Sequence, residues 1–277
     1  LFSYNDGTGI VPPGAWRLSP SQASRFFDST SQWYREMLMG EAPAFTGSTS
    51  TVLGTIVHAH AEAFAKGLTI SESEVNSYLL AQPPDIDTVY IREQYPVMVD
   101  TLITSYLQYH KPEKTELFLW HEVLPNIGVG GSIDSIYYPS NNSNGNNPGI
   151  IVDYKTTSAL SPPDKISRPY YFQQLLYAYL CKKNNIPIDT IRLVFITTNQ
   201  VNRTSATTGK PMKDYPSTVS TVDYVITNDD WNFVESIADL ICGSVDLWNR
   251  HPELRWALAQ DYRLKSMFKA PPKLFKK

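Results

Sequence analysis

The spacing of hydrophobic residues changes character near residue 115, dividing the chain into a helical first part and a mixed remainder. In "LSPSQASRFFDSTSQWYREMLMG", Leu18 to Gly40, Phe26, Trp33 and Met37 supply one apolar side. Ser19 suits a cap, Pro20 the first helical position and Gln22 a capping box, with Gly40 as the stop, so the pattern predicts one helix. The Gly- and Pro-rich residues before it predict an extended arm. After a Ser/Thr/Gly linker, "TVLGTIVHAHAEAFAKG" predicts a second helix, followed by helices at Ser71 to Gln82 and Thr88 to His110.

Beyond that point the period falls to two. "ELFLWHEVLP" and "IGVGGSIDSIYYP" alternate and are rich in β-branched and aromatic residues; the polar turn "NNSNGNNPG" then leads into the strand "IIVDYKT". Three successive antiparallel strands are the economical arrangement. A helix from Ser167 to Lys183, strands "TIRLVFITT" and "STVDYVIT", and a helix from Asp229 to Asn249 complete the order. The expected class is α/β: a central mixed sheet flanked by helices, with an N-terminal helical addition. Residues 1–115 form the helical region and 116–277 the α/β core with a C-terminal helix and basic tail, together one compact unit.

Composition narrows the functions. A length of 277 residues allows a large core, and a formal charge of -3 shows no global basic footprint. The last fifteen residues, "RLKSMFKAPPKLFKK", carry six Lys or Arg and no acid, which fits either a phosphate-touching tail or a solvated end. Two cysteines, Cys181 and Cys242, make no disulfide framework or four-thiolate cluster, which points to a reducing, cytoplasmic compartment. No apolar run approaches the roughly 20 residues of a bilayer span, so no membrane association is expected.

In "GIIVDYKTTS", strand alternation puts Asp153 and Lys155 on one face and Val152 and Tyr154 on the other. Taken alone, this is equally a surface ion pair of little energetic consequence. In the preceding strand Asp134 follows Gly130 and Ser132 on its face, which leaves space for a ligand. If the two strands pair through the turn, Asp134 and Asp153 lie close, and adjacent carboxylates raise each other's pKa unless a cation intervenes. Hard oxygen donors favour Mg²⁺ or Mn²⁺. His58 and Glu62, four apart, share a helix side, with His60 turned away; Gln173 and Tyr177 are likewise four apart.

In order, Gly54-x-x-x-His58, Asp134 within "GGSIDSI", Asp153-x-Lys155 and Gln173-x-x-x-Tyr177 resemble the RecB-type exonuclease branch of the PD-(D/E)xK nuclease superfamily, as does the opening helix. The resemblance extends from about Leu18 to Thr198; the chain beyond Val201 matches no pattern. It implies a restriction-endonuclease-like core with His58 brought in from the N-terminal region. His58, Asp134, Asp153 and the backbone carbonyl of Tyr154 would bind metal, and Lys155 would be the catalytic lysine. Gln173 and Tyr177 would hold the DNA backbone or the lysine, with Glu122 a further second-metal or supporting residue. Members with an iron–sulfur cluster carry a Cys-Pro near the first helix. This chain has Ser29-Thr30 there and lacks the later cysteines, so no iron–sulfur cluster is expected.

The chemistry fits these residue types. Phosphodiester hydrolysis needs an activated water and neutralised phosphate oxygens, which a divalent cation supplies. Lys155 would orient or deprotonate the water, or act by charge alone. Lys165, Arg168, Tyr170 and Tyr171 would line a groove for single-stranded DNA, though either tyrosine suits a core equally well. "TSATTGKP" has Thr204 in place of the first Gly of a phosphate loop and Pro211 after Lys210, so no ATP is expected, and any helicase, recombinase or single-strand-binding protein would be a separate partner. The expected function is a metal-dependent DNA exonuclease acting on single-stranded or duplex ends in replication, recombination or repair. The alternatives are a catalytically silent DNA-binding or assembly module and a restriction-type endonuclease.

Overall fold

The computed structural model describes residues 2, 7–41, 47–139, 148–159, 165–204 and 207–254. Most of the polar turn and the basic C-terminal stretch lie outside them. Six strands make one mixed sheet: β1 (Trp16–Leu18), β2 (Lys114–Leu124), β3 (Ile127–Tyr137), β4 (Gly149–Thr157), β5 (Ile188–Thr197) and β6 (Val219–Val225). β2, β3 and β4 pair antiparallel in succession, β4 and β5 are parallel, and β6 closes the far edge antiparallel to β5.

β3 organises the sheet. β2 covers one of its edges, while the other is shared by β1, parallel at Ile127–Val129, and β4, antiparallel at Ser135–Tyr137. The β3–β4 ladder ends at Ser135 opposite Val152. The next facing residues are Asp134 and Asp153, so the strands fork where two carboxylates would otherwise be forced side by side. Alternation does not reveal β1, because three residues are too few for a period and the Gly/Pro-rich surroundings read as an arm.

The predicted first helix is broken. Pro20–Gln22 is a 3₁₀ turn, α1 is Ala23–Asp28 and α2 is Thr30–Met37. Ser29 between them is extended, with φ -159°, and Ser19 makes no side-chain capping bond. Serine competes with the helix ladder and suits a junction better than an interior. α3 (Thr49–Ala65), α4 (Glu72–Leu80) and α5 (Thr88–Leu102) follow, and α5 runs past Pro96 into a π turn at Ile103–Leu107. α6 (Arg168–Lys183) and α7 (Asn228–Arg250) lie close to their predicted positions.

Two apolar layers sandwich the sheet. On one face α1, α2, α6 and α7 pack with Val129, Ile151 and Ile191; on the other α3, α4 and α5 pack with Val152, Tyr154, Val194 and Ile196. The Ser48 cap of α3, which accepts from Thr51 N, is worth about 1 kcal/mol, whereas each fully buried residue such as Ile56 or Val57 contributes about 1.5–3 kcal/mol. Packing therefore holds α3 against the sheet. Cys181 and Cys242 are buried in the α6–α7 layer, and burial pushes both thiols up to about 12. No described helix is long and apolar enough to cross a membrane.

Candidate active site

The β3–β4 fork opens into a cleft of about 730 Å³ between α3 and α6. From β4, Asp153 and Lys155 share the parity of Ile151 and face the α6 side, whereas Tyr154 faces α3. The Lys155 ammonium is 2.7 Å from Asp153 Oδ2 and 4.9 Å from the centroid of the Tyr170 ring on α6. Gln173 and Tyr177 continue that wall one and two turns along α6.

On the opposite wall α3 approaches β4 closely because Gly54 has no side chain; a Cβ there would lie 3.3 Å from Thr156 Oγ1. One turn on, the His58 ring reaches the fork. Its Nε2 lies 2.7 Å from the carbonyl oxygen of Tyr154, which can only accept, so Nε2 carries the proton. Its Nδ1 lies 3.3 Å from Asp134 Oδ2. The Asp134 carboxylate also accepts from Tyr154 N at 3.0 Å, satisfying a backbone donor that the fork has left without a strand partner.

The charges are mutually balanced. Burial disfavours the charged form of His58, but the Asp134 carboxylate outweighs it and raises the imidazole to about 9. Burial likewise opposes charge on Asp134, and His58 and Lys155 overcome it to hold that carboxyl below its ordinary value. Asp153 is raised, chiefly by burial, against the opposing pull of Lys155. Burial also works against the Lys155 ammonium, yet Asp153 and Asp134 hold it above the usual lysine value.

Sequence-predicted residues divide clearly. His58, Asp134, Asp153, Tyr154, Lys155, Tyr170, Gln173 and Tyr177 all line the one cleft. Glu122 does not: its carboxylate accepts from Asn126 N at 2.7 Å in the β2–β3 turn. Tyr171 does not either, since its hydroxyl donates to Asp230 and its ring packs against Phe172, Tyr224 and Phe233. Tyr170 and Tyr171 are adjacent on a helix and so point about 100° apart, one into the cleft and the other into the core. Arg168 is exposed and pairs with Asp28 at 3.0 Å, and Lys165 is exposed; neither lines the cleft.

In place of Glu122 the fold supplies Glu116, with Glu62 facing it from α3. Thr115 pairs with Ser135 and Leu117 with Ile133, so Glu116 lies opposite Asp134, and Ser132 Oγ donates to its Oε2 at 2.9 Å. Burial, reinforced by Asp134, raises the Glu116 carboxyl. Counting outward from the tight turn at Pro125–Asn126 would put Leu117 opposite Asp134; a register shift between Glu122 and Leu124 brings Glu116 there instead, so no local signal in the sequence marks it.

A hard divalent cation suits this donor set. Two carboxylates, an imidazole and a backbone carbonyl meet at the fork, and Asp153 Oδ2 is buried with no donor aligned for a hydrogen bond despite the nearby ammonium. Among the described residues, no three His, Cys, Asp or Glu side chains are gathered tightly enough to hold a cation by themselves.

Comparison with known proteins bears on the fold and the family. No curated protein matches the chain by sequence. A crystal structure of a candidate exonuclease from Eubacterium rectale aligns over 89% of this chain and 82% of its own at 10% identity, with a TM-score of 0.51, which shows a shared fold. A phage-related exonuclease from Haemophilus somnus 129PT aligns over 81% of this chain and 92% of its own at 12% identity, with a TM-score of 0.33. The family model of the PD-(D/E)XK nuclease superfamily matches residues 17–246. The chain belongs to the PD-(D/E)XK nuclease superfamily.

Proposed function

We propose that the chain is a divalent-metal-dependent DNA nuclease that degrades DNA from its ends in replication, recombination or repair. The observation that carries this reading is the meeting of His58, Asp134, Asp153, Lys155 and the Tyr154 carbonyl at one strand fork. His58, Asp134, Asp153 and that carbonyl would hold Mg²⁺ or Mn²⁺. Such a cation, when bound, supplies Lewis acidity toward phosphate oxygens and toward water.

Charge supports the metal requirement. Glu62, Glu116, Asp134 and Asp153 line the cleft against the cationic Lys155 and His58. A phosphodiester would meet a net negative wall unless further positive charge were present. Lys155, held 2.7 Å from Asp153, would orient the attacking water and balance charge developing on the phosphate. Gln173 and Tyr177 hold the backbone from the α6 wall, and Tyr170 offers a ring on which an unpaired base can stack. Outside the cleft, Arg168 at the exposed start of α6 and Lys165 just before it would extend the track. The preference for ends follows the RecB-type resemblance of the spaced motifs.

Digestion of single- and double-stranded DNA labelled at either end, with Mg²⁺, Mn²⁺ or EDTA, tests the reading. Stepwise release of label with metal and none with EDTA is expected, and Asp153→Ala and Lys155→Ala should abolish it. Degradation in none of the metals would assign the chain to DNA binding without cleavage. Discrete fragments from closed circles would assign it to restriction-type endonucleases.

A further inference from the structure

Beyond β5 the chain leaves the sheet as a two-stranded ribbon before it returns as β6. Backbone bonds between Gln200 and Tyr215, at 2.8 and 3.0 Å, and from Met212 N to Arg203 O, at 2.8 Å, hold its arms together. Its root is fixed beside the site. Thr198 N donates to Thr157 O at 2.9 Å, Gln200 Nε2 to Ser158 O at 2.7 Å, and Asn199 N to Oε1 of the buried Gln94 at 2.7 Å. The segment that presents Lys155 therefore anchors the ribbon two and three residues further on.

Charge sets the ribbon apart. Residues 199–215 hold three cations, Arg203, Lys210 and Lys213, and one acid, Asp214, in a chain whose formal charge is -3. None of the three meets a carboxylate among the described residues, whereas Arg25, Arg35, Arg168, Arg192 and Arg250 all do. Asp214 instead accepts from Asn202 N at 2.7 Å. Lys210 is exposed, and the exposed Lys213 ammonium lies 5.3 Å from the centroid of the Tyr215 ring. Arg203 is half-buried, and its Nε is shielded from solvent without a hydrogen-bond partner among the described residues. A shielded donor left unbonded is costly, and an acceptor from outside relieves that cost.

A groove joins the ribbon to the cleft. Ser50 and Thr156 line both the cleft and an adjoining hollow of about 340 Å³, whose walls include Thr49, Thr157, Ser158 and Thr198. Hydroxyls line this hollow and no carboxylate does, in contrast to the acidic cleft. Hydroxyl and cationic side chains are the ones that hold phosphate oxygens. Arg203 follows Thr198 by five residues and so lies within about 17 Å of it, a span of about five phosphates on one strand of a duplex.

We infer that Arg203, Lys210 and Lys213 of the β5–β6 ribbon grip the phosphate backbone of DNA a few nucleotides from the bond being cut, and that the hydroxyl-lined groove carries the strand between the two places. The inference rests on the nuclease reading above and adds a place for the part of the strand outside the cleft. Backbone phosphates carry no sequence information, so the grip holds any DNA, and it supplies positive charge that the acidic cleft lacks.

Binding and cleavage by the full chain test the inference. Arg203→Gln, Lys210→Gln and Lys213→Gln are combined in one variant, with affinity read in EDTA and cleavage in Mg²⁺. Labelled single strands and duplexes of about 30 nucleotides, titrated in rising KCl, are the probes. In the triple variant Kd and KM should rise about tenfold while kcat holds, and the slope of log Kd against log salt should fall by about 2 to 3. The charge-keeping combination of Arg203→Lys, Lys210→Arg and Lys213→Arg should restore both. For strands of about four nucleotides, too short to reach the ribbon, the difference between wild type and triple variant should vanish. A loss confined to one form of DNA supports the inference and assigns the ribbon to that form. Unchanged affinity and salt slope in the triple variant of a wild type that cuts DNA would overturn the inference and leave the nuclease reading standing. A wild type that neither binds nor cuts DNA of either form would overturn both.

Discussion

Tyr154 donates its backbone N–H to the Asp134 carboxylate at 3.0 Å, just past the point where β3 and β4 stop pairing. One side chain thus closes the open end of the ladder and aims charge into the cleft. Asp134→Asn keeps an acceptor but loses the charge, so the fold should survive while cleavage falls about 10²–10³-fold. Asp134→Leu loses both roles and should also lower the melting temperature. Parallel thermal unfolding and end-labelled digestion would separate the two effects.

His58 links site charge to stability in metal-free protein. Its folded value of about 9 lies above the unfolded 6.5, so the stabilisation is fully present below pH 6.5 and is lost as pH rises through about 9. In EDTA, the stability gap between wild type and His58→Gln should therefore be widest below pH 6.5, on the order of 3 kcal/mol, and close by pH 9 to 10. Urea titrations across that range would measure it, and a gap independent of pH would remove Asp134 as its source.

Gly54 sets how closely α3 meets β4. Alanine there needs the Thr156 hydroxyl to give by a few tenths of an ångström, so Gly54→Ala should stay close to wild type. Gly54→Val should push α3 outward and carry His58 from the fork, reducing cleavage about 10²-fold. Digestion rates of the two purified variants test this graded response.

Two adjacent tyrosines should behave differently. Tyr171→Phe removes a hydroxyl donated to Asp230, a carboxylate that also accepts from Tyr224 and Thr227 at the start of α7. Its loss should cost about 1.5–3 kcal/mol of stability with cleavage unchanged. Tyr170→Ala should leave stability nearly intact and slow cleavage about fivefold through the lost ring face beside Lys155, which Tyr170→Phe should preserve. Melting curves and rates for the three variants make the comparison.

Local periodicity made much of this molecule readable. Alternation places Asp153 and Lys155 on one face of β4, and the helical period places His58 with Glu62 and Gln173 with Tyr177, because each pair is fixed by backbone geometry within one element. Glu116 escaped because its place depends on the register between two strands and on a backbone turned to φ 47° at that residue. Tyr171 misled because its neighbours come from β6 and α7, more than fifty residues away, and no local pattern encodes that layer. The break at Ser29 was hidden by an apolar spacing that continues across it. Glu122 alternates as a strand residue should, but its carboxylate is taken up by the turn that ends its own strand.

The most direct test is calorimetric titration of Mn²⁺ into the wild type and into Asp134→Asn, Asp153→Asn and His58→Gln. The account predicts saturable binding by the wild type, weakened at least tenfold in each variant with the fold retained. Equal Mn²⁺ affinity in all four proteins would contradict the shared site at the fork.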